Sequence, residues 1–184
     1  MTPGLAPQLL TVPVSPRDHA LGPASARVTL LEYGDFECPH CAAAAPVIRS
    51  LLASLGDRLR FVFRHFPITL RHDHAQKAAE ASEAAAAQGR FWEMHDLLFR
   101  HQEELDPTSL TRYAGEVGLD VARFEDELRR GVHAEAVYED MASGEAAGVT
   151  WTPTFFLNGV RYGVARDLDG LAEAVTAASA PSAR

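Results

Sequence analysis

Strand signals cluster at both ends of this 184-residue chain and vanish from its middle, which predicts an α/β domain split by an all-helical insertion. Residues 28–33 (VTLLEY) form a short apolar run with β-branched and aromatic members, as a buried strand requires. Residues 154–157 (TFFL), the Asn158-Gly159 pair and residues 160–163 together give a hairpin signal. From 74 to 147 nothing reads as strand, and Ala, Glu, Gln, Leu and Arg dominate. Neither β part is large enough to stand alone, so the two must share one sheet. The expected layout is an extended arm over 1–26, a sheet-bearing unit over 27–72 and 148–178, a helical insertion over 73–147, and a frayed tail over 179–184.

The arm is rich in Pro, Gly and Ser and has little periodicity. After the first strand breaks at Gly34, Cys38-Pro39-His40-Cys41 opens an Ala-rich segment that runs to Leu55 and stops at Gly56. Proline suits a first helical position, where its missing N–H would have no intrahelical partner, and glycine suits a helix end. Pro46 falls inside this helix and is expected to kink it. Residues 59–66 (LRFVFRHF) alternate as a second strand, ended by Pro67, with Arg64 and His65 expected to flank a site or face solvent. Gly89, the Asp106-Pro107 pair, Gly118 and Gly131 divide the insertion into four or five helices. Phe91, Trp92 and Phe99 recur at helical spacing and are expected to form the insertion's own core. A last helix fits 167–177.

Charge and hydropathy remove whole classes of function. Acidic residues outnumber basic ones 25 to 17, a net charge of −8, which argues against a nucleic-acid partner. No apolar run approaches the roughly 18 residues of a membrane helix. The N-terminus lacks a basic region before an apolar stretch, and its best apolar run, 9–14, is broken by Pro13. A cytoplasmic location is therefore expected, or a periplasmic or secreted one if a leader has been removed.

The chain has two cysteines, Cys38 and Cys41. A zinc half-site would need two more ligands; His72 and His74 are conceivable, but nothing in the sequence fixes them near the pair. A purely structural disulfide closing so short a loop would remove little entropy from the unfolded chain. A redox dithiol fits the context, because the pair follows a buried strand and opens a helix. Unpaired N–H groups and the helix dipole favour a thiolate there, and the thiolate is both nucleophile and leaving group in exchange. His40, between the cysteines, is placed to add a donor and partial positive charge to Cys38. No other metal or cofactor is called for.

These residues carry a resemblance. LLEYGDFECPHC, a following helix with an internal proline, GRFWEMHDLLFRHQEEL and TPTFFLNG together resemble the DsbA-like thiol–disulfide oxidoreductases of the thioredoxin superfamily, over about residues 26–178. The resemblance implies a thioredoxin fold, a central mixed sheet flanked by helices, with the helical segment inserted. It implies Cys38 as the exposed attacking thiol and Cys41 as the buried resolving thiol of a Cys-Pro-His-Cys site that includes Pro39 and His40. It further implies a cis Thr152-Pro153 bond beside the dithiol, with Thr152 offering backbone groups to an extended substrate. Glu32, six residues before Cys38, falls where relatives bury an acid beneath the resolving cysteine, and a buried acid there would relay a proton to Cys41. Phe36 and Trp151, just before the two loops, either line an apolar substrate patch or pack on each other.

The expected function is thiol–disulfide exchange with protein or peptide thiols, sustained by a redox partner that recycles the dithiol. A small-molecule thiol enzyme of glutathione-transferase-like type usually needs one reactive residue, not two. A redox-responsive binding domain without turnover is the alternative from outside enzymology.

Overall fold

The computed structural model describes residues 8–163 and 167–180; the first seven residues of the expected arm and the last four of the expected tail lie outside them. The first strand, β1 (His19–Leu21), lies within the arm and was not expected from its sequence. Three residues between Asp18 and Gly22 are too few to show a period, and β1 exists by pairing antiparallel with β3. Gly22 closes it at φ +85, where a Cβ would strike the Leu59 carbonyl oxygen. Next come β2 (Val28–Gly34), α1 (Pro39–Leu55), a 3-10 turn and β3 (Leu59–His65), so Arg64 and His65 belong to the strand. The insertion is five helices: α2 (Ala75–Ala86), α3 (Phe91–Arg100), α4 (Pro107–Glu116), α5 (Val121–Arg130) and α6 (Ala134–Ala146). The chain returns through β4 (Thr154–Leu157), β5 (Val160–Arg161) and α7 (Leu168–Ser179).

The sheet has the order β1-β3-β2-β4-β5. Strands β2 and β3 are parallel, joined by α1 as a crossover helix, and the remaining pairs are antiparallel. Alternation assigns the faces. Val28, Leu30, Phe61, Phe63 and Phe155 pack under α1, α7 and much of the insertion, while Leu31, Tyr33, Val62 and Phe156 face Val149, Met141 and residues 10 and 14. Gly144 of α6 lets that helix settle on Phe66 and Tyr33, where a Cβ would come within 2.8 Å of the Phe66 ring.

The insertion does not keep a private core. Phe91 and Phe99 pack edgewise or tilted against Phe63 of β3, and Trp92 tilted against Phe61, so the expected insertion core is the seam between insertion and sheet. The arm is tied down as firmly on the other face. Arg64 is buried with its Nε 2.6 Å from Asp18 Oδ1, and it also donates to the carbonyls of Val12 and Pro13 and to the Tyr33 hydroxyl. Burial works against the Asp18 carboxylate, but hydrogen bonds from Arg64 and the Ser15 N–H outweigh it and hold its pKa below the ordinary value.

Removing one partner of a buried ion pair leaves the other uncompensated, which costs about 3–5 kcal/mol. Asp18→Ala is expected to destabilise the fold by that order in urea titrations at neutral pH. Because the folded pKa of Asp18 is depressed, its contribution is present above the unfolded value and is lost as pH falls through the folded one. The gap between wild type and variant should therefore close on acidification, and a gap independent of pH would count against the ion pair.

Candidate active site

Strand β2 delivers the chain to a turn held from two sides. The Asp35 carboxylate, fully buried, accepts from the N–H groups of Glu37 and Ile68 and from His72 Nδ1 at 2.7–2.8 Å. From the insertion, Gln102 Nε2 donates to the carbonyls of Phe36 (2.6 Å) and Cys38 (2.9 Å). The Phe36 ring fills the space beneath, 5.4 Å from Phe63 and 4.9 Å from Phe99. Phe36 is thus buried core, and neither substrate patch nor partner of Trp151, because the turn needs an anchor under it. His72 serves Asp35, and His74 donates its N–H to Glu37, so the histidines weighed as zinc ligands brace the loop instead.

Cys38 is the N-cap of α1, with extended backbone and no side-chain cap, so its sulfur faces the first N–H groups of the helix, those of His40 and Cys41. Its Sγ lies 3.3 Å from the Thr152 carbonyl oxygen, and the Thr152-Pro153 bond is cis. This loop covers the sulfur. Cys38 is only 4% exposed, against the expectation of an open thiol, and Cys41 is wholly buried. Both cysteines are free thiols. Pro39 and the His40 ring are exposed, and His40 reaches the thiolate through its backbone N–H. Trp151, 51% exposed, stands beside the loop with the Arg161 guanidinium 4.8 Å above its ring.

The three ionisable groups are pushed apart. A hydrogen bond from the Cys41 thiol, helped by the nearby Thr152 side chain and the N–H groups of Cys41 and His40, overcomes burial and lowers Cys38 from an ordinary 9.0 to about 5. Burial first, then donation to Cys38 and the nearness of Glu32, pushes the Cys41 thiol well up. Glu32 follows from the strand's period: two residues after Leu30, it points to the α1 face and is buried at 2% exposure. Burial raises its carboxyl to about 8, against the opposing hydrogen bond with Cys41, and its Oε1 has no protein partner. A cavity of about 60 Å³ adjoins it, lined also by Ile48, Trp92, His95 and Asp96. A low-pKa sulfur above a carboxyl that keeps its proton is an arrangement that can support dithiol exchange.

The comparisons with known proteins agree with this geometry. A family described as thioredoxin matches residues 14–177. The chain belongs to the thioredoxin family. Oxidised BdbD from Bacillus subtilis shares the fold at TM-score 0.77 and 24% identity, over 87% of this chain and 91% of that one. A thioredoxin-like oxidoreductase from Silicibacter pomeroyi DSS-3 does so at TM-score 0.74 and 26% identity, over 89% and 94%. The protein named Na(+)/H(+) antiporter NhaA 1 from Salinispora arenicola is 50% identical over 174 residues, which is 93% of this chain but 26% of that protein. This thioredoxin-family chain therefore spans about a quarter of the curated relatives it matches. Among the described residues, no helix is long and apolar enough to cross a membrane.

Alkylation of the reduced protein should follow a Cys38 titration with a midpoint of about 5, while Cys41 stays unmodified until the chain unfolds. Thr152→Val removes the buried hydroxyl near the sulfur and is expected to move the midpoint up. Iodoacetamide rates across the acid-to-neutral range read both, and an unmoved midpoint would show that the hydroxyl does not act on the anion.

Proposed function

We propose that this protein is a dithiol–disulfide oxidoreductase that donates its Cys38–Cys41 disulfide to protein or peptide thiols. The observation that carries the reading is the stabilised Cys38 sulfur at a helix N-terminus under the Thr152-Pro153 loop. In the oxidised protein a substrate thiolate attacks Cys38 Sγ, the Cys38–Cys41 bond breaks, and a mixed disulfide forms. Cys41 leaves as a thiolate that its apolar surroundings oppose, and Glu32, whose carboxyl holds its proton up to about pH 8, supplies that proton. A second substrate thiolate then attacks the substrate sulfur and Cys38 departs as a stable thiolate. Two substrate thiols are oxidised and one protein disulfide is reduced, so a separate redox partner must restore it.

In this reading Thr152 presents backbone groups to an extended segment of substrate, and the exposed Trp151 offers an apolar contact next to it. A couple with so stable a thiolate works best where glutathione does not keep it reduced, which favours an oxidising compartment over the cytoplasm expected from the N-terminus. The identity shared with a quarter of a longer protein named as an antiporter supports the view that this unit is also used within larger chains.

A thiol at about 5 in the fold and near 9 unfolded stabilises the reduced form by on the order of 2 kcal/mol at pH 7, since the unfolded thiol is still protonated there. That contribution is fully present above the unfolded pKa and is lost as pH falls through about 5. The reduced protein is thus expected to outlast the oxidised one in urea at pH 7, with thiol counting to verify each form. The reverse order would make this protein a reductase. The oxidised protein should oxidise reduced ribonuclease, and the Cys38 thiolate of Cys41→Ser should attack a disulfide of scrambled ribonuclease, release one of its thiolates and accumulate as the mixed disulfide; a binding domain without turnover would do neither. Glu32→Leu should slow the exchange on the order of 10²-fold while leaving the fold as stable or more so. An unslowed variant would remove the carboxyl from the proton path.

A further inference from the structure

Away from the dithiol, three side chains from three elements converge on one point: His19 of β1, His65 at the end of β3 and Glu83 of α2. His19 Nε2 lies 2.6 Å, and His65 Nε2 2.8 Å, from the same Glu83 oxygen, Oε1. All three ligand atoms sit within 4.8 Å of one another. Disulfide exchange as derived above uses none of them. The sheet itself does not require them either, since β1 already pairs with β3 through its backbone.

We propose that His19, His65 and Glu83 form a binding site for a divalent transition metal of the zinc type. Two imidazole nitrogens and one carboxylate oxygen are a three-donor set that zinc accepts, with a fourth position left for water. Calcium and magnesium, which take oxygen ligands, do not match a set with two nitrogens. The rings are fixed by packing independent of the carboxylate. His19 stacks flat on Phe91 at 3.5 Å, and His65 is edged by Phe63 and Phe36. That is the support a first ligand shell needs if it is to stay in place without its ion.

The surroundings supply access and charge. A cavity of about 540 Å³ is lined by His19 and Glu83, and Asp140 of α6 also borders it. Asp140 Oδ2 accepts the His65 backbone N–H at 2.9 Å, which places a second carboxylate beside the triad. Arg64 and Asp18, on the same wall, satisfy each other and leave the triad free. A metal about 2.0–2.1 Å from each donor requires the three to part by a fraction of an ångström. His19 on its edge strand and the half-buried Glu83 can give that much. Each Nε2 then presents its lone pair, its proton passing to Nδ1 or to solvent, and no electron is transferred. The ion would join the N-terminal strand, the end of β3 and the insertion in one cross-link.

The test uses the full chain, stripped with a chelator and oxidised, so that Cys38 and Cys41 are tied up in their disulfide and cannot bind metal. Calorimetric titration with zinc chloride is expected to give one ion per chain, and saturating zinc should raise the Tm. Cobalt(II) should give a d–d spectrum with no sulfur-to-metal band. His19→Ala and Glu83→Gln should each weaken zinc binding by about tenfold or more. His19→Gln, which retains a polar group beside Glu83, provides a second variant if His19→Ala does not fold. Absence of one-to-one binding to the wild-type chain would overturn the proposal, as would equal affinity in folded variants. A Tm rise with calcium and none with zinc would overturn the nitrogen-donor assignment.

Discussion

A sulfur anion inside a protein survives only where fixed donors point at it, and here those donors belong to the first turn of α1. A helix end can be aimed only as well as the loop that leads into it. That loop carries no regular backbone pairing of its own, so its position rests on the Asp35 carboxylate and the Gln102 amide, one from the turn itself and one from the insertion. The low Cys38 pKa and the burial of Phe36 are downstream of those few hydrogen bonds. A carboxylate buried beside a dithiol would normally repel a thiolate. Asp35 is tolerated because two backbone N–H groups and the His72 ring donate to it.

This explains why the helical segment cannot be regarded as an ornament on a smaller fold. Phe91 and Phe99 close the same apolar seam that supports Phe36, and Gln102 lies directly after the helix that carries them. The insertion supplies part of the floor and part of the clamp of the dithiol loop. Its cost is a longer chain to order, and its return is a turn whose carbonyls are fixed by a residue 64 positions away in sequence.

Much of the architecture was legible because it is local. The strand runs 28–33 and 59–66, the Pro39 start, the Gly56 stop and the Asn158-Gly159 turn each depend on a few neighbouring residues, and each element stands within a residue or two of its expected bounds. Glu32 was placed by the resemblance, and in the structure the strand's period of two puts it on the face of Leu30. What the sequence could not show depends on distant partners. β1 is too short to have a pattern and exists through β3. Phe36 looked available because it adjoins a reactive motif, yet rings from β3 and α3 lie over it. Cys38 looked exposed for the same reason, while the loop that covers it arrives 114 residues later. Asp35 did leave a signal, an acid in the turn before a dithiol, but Gln102 left none.

The small cavity against Glu32 separates two kinds of traffic. In the proposed exchange, sulfur chemistry takes place under the Thr152-Pro153 loop, on the side where a partner chain would lie. Glu32 sits below the thiols, and its cavity, about 60 Å³ and large enough for a water molecule or two, opens along the seam between α1 and α3, where His95 and Asp96 line it. A docked partner that seals the upper entrance would leave this lower passage clear. Under the proposed exchange, proton supply to the buried pair would be insulated from occupancy of the docking face, and a large, tightly fitted partner would be no slower to process than a small one.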